Sequence, residues 1–125
     1  MRILLIEPGR YAREAEIGDS LRDMQKAVGG RIDAIYPYDE PVALVCNDEG
    51  KIDGLPLNRA LCDENGETYD IIAGTFFICG LGAENFDSLS PQYMEKFKRV
   101  FFEPEQHIRM NGCLVSLKIP ETSAE

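Results

Sequence analysis

The run YDIIAGTFFICGLG, Tyr69 to Gly82, carries apolar residues at consecutive positions, so as a strand it would have no polar face. A strand of this kind lies between neighbours and is covered on both sides. The run therefore predicts the central strand of a sheet. Gly74 inside it predicts a bulge or a close approach of other backbone. Phe76 and Phe77 point to opposite faces of such a strand, and both are expected to pack in the core.

The flanking segments supply its neighbours. Arg2–Glu7 (RILLIE) reads as a buried strand ended by Pro8-Gly9, and Tyr11–Ile17 (YAREAEI) alternates loosely enough to pair with it. Ser20 and Asp23 form a capping-box-like start to a helix ending at Gly29, with Leu21, Met24, Ala27 and Val28 on one face. Arg31–Tyr38 and Pro41–Asn47 read as two further strands. Pro56 is placed to open a short helical turn carrying Asn58 and Arg59. Asn65-Gly66 in DENGE is a turn signal. Ser90-Pro91 opens a second helix with an apolar stripe of Tyr93, Met94, Phe97, Val100 and Phe101, limited by Pro104. Residues 105–119 fit a short helix ending at Asn111-Gly112 or a hairpin turning there. The expectation is one α+β domain over residues 1–119, with about five mostly antiparallel strands, two helices on one face of the sheet, and a disordered tail at 120–125.

A chain of 125 residues fits one domain with one ordinary core. No apolar run is long enough to cross a membrane and no signal peptide is evident, which predicts a cytoplasmic protein. The net charge is −9. Between Asp39 and Asp70 nine acids face only two bases, Lys51 and Arg59. Such a surface repels a nucleic-acid backbone and suits a basic protein. Asp48, Glu49, Asp63, Glu64 and Glu67 are the candidate partner-binding residues.

The four cysteines are scattered and His107 is the only histidine, so no metal site and no cofactor are expected. No nucleophile has a recognisable base beside it, and no phosphate loop is present. The chain therefore reads as a binding protein, not an enzyme. Arg59 stands out, because its neighbours Leu57 and Leu61 are expected to face inward. A guanidinium there needs acceptors: Asp53, Asp63 or Asp70, backbone carbonyls at a strand end, or an anionic ligand. Asn58, Arg59, Thr75, Gly80 and Gly82 make the candidate site for such a nucleotide-like ligand. The alternatives are an acidic, DNA-mimic-like decoy or adaptor for a basic protein, and a structural domain without a ligand. Val100, Phe101 and Phe102 read as a patch that allows a homodimer.

The combination of GLPLNRAL (54–61), DENGE (63–67) and YDIIAGTFFICGLG (69–82), with GGRIDAIYP and VALVCNDEGKIDG before it, resembles the domain of unknown function 3846 family. The resemblance covers residues 1–82 and, more weakly, the second helix. It brings no catalytic residues. It implies an origin in phages, plasmids or integrative elements of Firmicutes and gut bacteria, often beside antirestriction proteins, and hence a counter-defence role.

Overall fold

The computed structural model describes residues 1–121. Ten strands and two helices follow one another as β1 (Arg2–Ile6), β2 (Arg13–Glu16), α1 (Leu21–Val28), β3 (Ile32–Ile35), β4 (Val42–Asn47), β5 (Leu57–Cys62), β6 (Thr68–Ala73), β7 (Phe76–Leu81), β8 (Phe86–Asp87), α2 (Pro91–Phe101), β9 (Glu105–Met110) and β10 (Cys113–Lys118). The fold is α+β. A six-stranded sheet runs in the order β2-β1-β7-β4-β3, with β8 paired to the end of β7, and every pairing is antiparallel.

Strand β7 is central. Ile78 lies across from Leu4 on one side and from Leu44 on the other. Phe76 and Phe77 are both fully buried, on opposite faces. One face packs Leu4, Ile6, Leu44, Phe76 and Ile78 under Met94, Phe97 and Phe101 of α2. The other packs Ile3, Ala43, Val45, Phe77 and Cys79 under Met24 and Val28 of α1. The two helices thus cover opposite faces, not one. The reason lies in β1, β4 and β7. They are apolar at consecutive positions, so each face exposes a layer that a helix must cover.

The strand count exceeds the expected five because two hairpins stand apart from the sheet. The run 69–82 is two strands in two different sheets, broken at Gly74. Gly74 has φ 83°. A Cβ there would sit 2.7 Å from Leu55 Cδ1. The β5–β6 hairpin folds back over the α2 face, where Leu61 and Ile72 join the core. Pro56 opens strand β5 and no helical turn. Its carbonyl accepts from Gly74 N at 2.7 Å, which ties the start of β5 to the end of β6.

Helix α1 is capped as its sequence predicts. Asp23 N donates to Ser20 Oγ at 3.1 Å, and Gly29 takes the left-handed conformation. Residues 105–118 form a hairpin, with Asn111 (φ 50°) and Gly112 (φ 81°) as its two-residue turn. Two positive φ values make this the turn type that matches the strand twist. Of the segment expected to be a disordered tail, Glu121 is held, its carboxylate accepting from Tyr11 N at 3.2 Å. Residues 122–125 lie outside the described residues.

Candidate functional site

Asn58 and Arg59 are 1% and 0% exposed. Neighbouring residues of a regular strand point to opposite faces. Here a register shift between Leu57 and Ala60 lets both turn inward. The Arg59 guanidinium meets the end of β1 and the last turn of α2. Its Nε donates to Phe101 O at 3.1 Å, one terminal nitrogen to Asn58 Oδ1 at 2.9 Å, and the other to Arg10 O at 2.6 Å. Longer bonds reach Glu7 O at 3.5 Å and Phe102 O at 3.4 Å. Among the described residues no carboxylate lies within ion-pair distance, so Asp53, Asp63 and Asp70 are not its partners. Four of the five acceptors are backbone carbonyls, two of them at the negative end of α2, where a cation is favoured, and the fifth is the Asn58 side-chain oxygen. Burial lowers the Arg59 pKa to about 10, partly offset by the nearby Glu105 carboxylate. The group stays charged at neutral pH.

Asn58 completes the junction. Its Nδ2 donates to Ile6 O at 3.0 Å and to Gly74 O at 2.9 Å. No buried side-chain nitrogen or oxygen among the described residues lacks a partner. The guanidinium is therefore saturated by protein acceptors, and its donors do not face an open cavity.

The other residues expected beside it are elsewhere. Thr75 is half-buried at the start of β7 and lines a separate depression with Arg10 and Lys26. Gly80 and Gly82 lie at the far end of β7, about 15 Å along a strand of that length. There β8 packs so closely that a Cβ on Gly80 would overlap the Ser88 carbonyl. The five do not converge on one site.

The acidic residues also divide. Asp48 and Glu49 follow β4 and pair with Arg31 at 3.1 and 3.9 Å. Asp63, Glu64 and Glu67 form the β5–β6 turn, where Asp63 Oδ1 accepts from Asn65 N and Glu67 N, both at 2.9 Å. Glu40 pairs with Lys96, and Asp70 with Lys51. Of the apolar patch expected from Val100, Phe101 and Phe102, Val100 and Phe102 are exposed. Phe101 is buried, and Phe102 stacks on Tyr11 with ring centroids 4.7 Å apart.

His107 is bound at both ring nitrogens, Nδ1 to Ser116 Oγ at 2.7 Å and Nε2 to Asn58 O at 2.9 Å. The carbonyl can only accept, so Nε2 carries a proton. Among the described residues no group of three His, Cys, Asp or Glu side chains is placed to hold a metal ion.

A different feature is open. Helix α1, strand β3 and the β7–β8 turn enclose a groove of about 560 Å3. Leu21, Tyr36 and Leu81 line it and are 56%, 58% and 41% exposed, with Phe86 half-buried behind them. Asp19 and Glu84 line it too, and no lysine or arginine does. Among the described residues neither acid enters an ion pair. Of the expected site residues only Gly82 borders this groove. The sequence carried a weak signal for it. Leu21 starts an amphipathic helix, and Tyr36 and Leu81 sit at strand ends, but no spacing joins them.

Residues 1–102 match the family model described as Domain of unknown function (DUF3846). The chain belongs to this family. The DUF3846 match ends one residue after α2, so it contains the whole sheet, both helices, the β5–β6 hairpin and the groove, and it excludes the β9–β10 hairpin. No curated protein and no solved structure matches the chain. Among the described residues no helix is long and apolar enough to cross a membrane.

Proposed function

We propose that this DUF3846 protein is a non-catalytic adaptor that holds a basic, amphipathic segment of a partner protein in the groove between α1, β3 and the β7–β8 turn. One observation carries the reading: Leu21, Tyr36 and Leu81 expose apolar surface beside the unpaired acids Asp19 and Glu84, with no cation lining the same groove. Apolar side chains of the partner would cover the three residues, and its lysines or arginines would meet the two carboxylates. The anionic-ligand alternative loses its main support, since the Arg59 donors are taken up by carbonyls. In the counter-defence setting that the family resemblance implies, the partner is a basic host protein.

The test is fluorescence anisotropy with a labelled synthetic peptide carrying leucines on one helical face and lysines on the other. A scrambled peptide of the same composition serves as control. The amphipathic peptide should bind more tightly than the scrambled one and weaken steeply with added salt, as exposed charge pairs do. Leu81→Asp should weaken it by about tenfold or more, as loss of a buried anchor does. Equal affinity for Leu81→Asp and wild type would remove the groove as the binding site.

A further inference from the structure

The β9–β10 hairpin is attached to the family domain in an unusual way. It contributes no residue to either buried cluster. Two side chains of β9 hold it to β5: Glu105 Oε1 accepts from Ala60 N at 2.9 Å, and His107 Nε2 donates to Asn58 O at 2.9 Å. At its base Ile119 N donates to Pro104 O at 2.8 Å. Among the described residues strand β10 pairs with β9 alone, which leaves its outer edge free over six residues. Met110, Leu114 and Leu117 are 53%, 45% and 46% exposed. A free edge of this length is a template for another strand: it has no proline and no bulge, and its single charge, Lys118, stands at the end. A two-stranded hairpin is also marginal by itself in water, whereas three or more strands are not.

We infer that β10 pairs antiparallel with β10 of a second copy of the chain, joining two hairpins into one four-stranded sheet. The occupant has to present a strand edge, because that is what unpaired backbone groups take. Self-pairing about a two-fold axis through Val115 sets Leu117 across from Cys113, Leu114 across from Ser116, and Lys118 across from Gly112. No two like charges then face each other, Val115 meets Val115, and Leu117 of each copy covers Cys113 of the other. This interface lies outside the family-matched residues and is independent of the groove. A dimer built this way presents two grooves.

Sedimentation velocity under a thiol reductant, which stops the exposed Cys113 from cross-linking copies, tests this from low micromolar to several hundred micromolar protein. The wild type should shift with concentration towards twice the 14.0 kDa mass of the chain. The double variant Leu114→Lys, Leu117→Lys should remain at the monomer mass, with an unchanged thermal melt because both side chains are already exposed. Should that variant unfold, hydrogen exchange on the wild type replaces it: the β10 amides should be better protected at high concentration than at low, while the β4 amides stay constant. A wild type that stays monomeric throughout, a folded variant that dimerises equally well, or β10 exchange independent of concentration would each overturn the inference.

Discussion

Arg59 sits in the interior with five hydrogen bonds and no carboxylate. The chain gains a clamp, not a receptor: one side chain holds β5 to the end of β1, to the loop at Arg10 and to the last turn of α2. Arg59→Ala leaves several buried carbonyls without donors and a cavity among them. The expected loss is about 3–5 kcal/mol, the range for breaking a buried polar network. An ion-pair member would leave an orphaned carboxylate, and the loss would shrink as that group took up a proton in acid. Here no carboxylate is orphaned, so the loss should stay within about 1 kcal/mol of its neutral value down to pH 5. Urea denaturation of wild type and variant at pH 5 and pH 7.5 measures both. A cost below about 1 kcal/mol at either pH would contradict the clamp. Arg59 was legible in the sequence as an inward guanidinium in need of acceptors. Which acceptors it finds was not, because Phe101 and Arg10 are brought to it only by the tertiary fold.

At the level of the element, the break at Gly74 decides the topology. Gly74→Ala would have to hold φ near 83° and push its methyl group into Leu55. Strain of that kind costs about 1–3 kcal/mol before the clash is added. A loss of at least about 2 kcal/mol in urea unfolding is therefore expected, and one under about 0.5 kcal/mol would show that the break tolerates a side chain. The sequence announced this glycine and misjudged its consequence. Ile71, Ile72 and Ala73 are buried like Phe76 to Cys79, so hydrophobicity is continuous across a point where the chain changes sheets. Period alone cannot separate one long buried strand from two short ones. The same limit explains the helices. Their apolar stripes showed that each has a buried side, but not which face of the sheet it meets. The caps of α1 were readable, as Ser20 and Gly29 show, because their causes are local, whereas Asn111-Gly112 marked a chain reversal without deciding between a helix end and a hairpin turn.

Across the whole molecule, burial places thiols on both faces of the sheet. Cys46 is pushed up to about 11 by burial and then by Asp33, Asp48 and Asp70, and Cys79 to about 12 by burial. Tyr38 is also raised, first by burial. In the unfolded chain the thiols ionise near pH 9, while in the fold they keep their protons. Above pH 9 the unfolded state binds fewer protons, so stability falls as pH rises towards 11. Arg59 acts in the opposite direction, but only above its lowered value of about 10. The interval from pH 9 to 10 therefore reports mainly the thiols, with Tyr38 adding in the same direction as pH nears its ordinary value of 10. The urea midpoint should drop across it in wild type and drop less in Cys79→Ala; a wild-type midpoint constant to pH 10 would contradict the protonated core.

The order β2-β1-β7-β4-β3 also has a bearing on how the protein is made. Strands β1 and β4 share no edge until β7 comes between them, with Leu4 and Leu44 both meeting Ile78. On the ribosome, the first half of the chain leaves the exit tunnel with its two most apolar strands unable to pair with each other. It has to wait for residues 76–81, and a nascent chain with open edges is exposed to aggregation in that interval. Folding of the sheet is thus tied to the delivery of β7, and the lifetime of that open intermediate is set by how fast the ribosome supplies a single central strand.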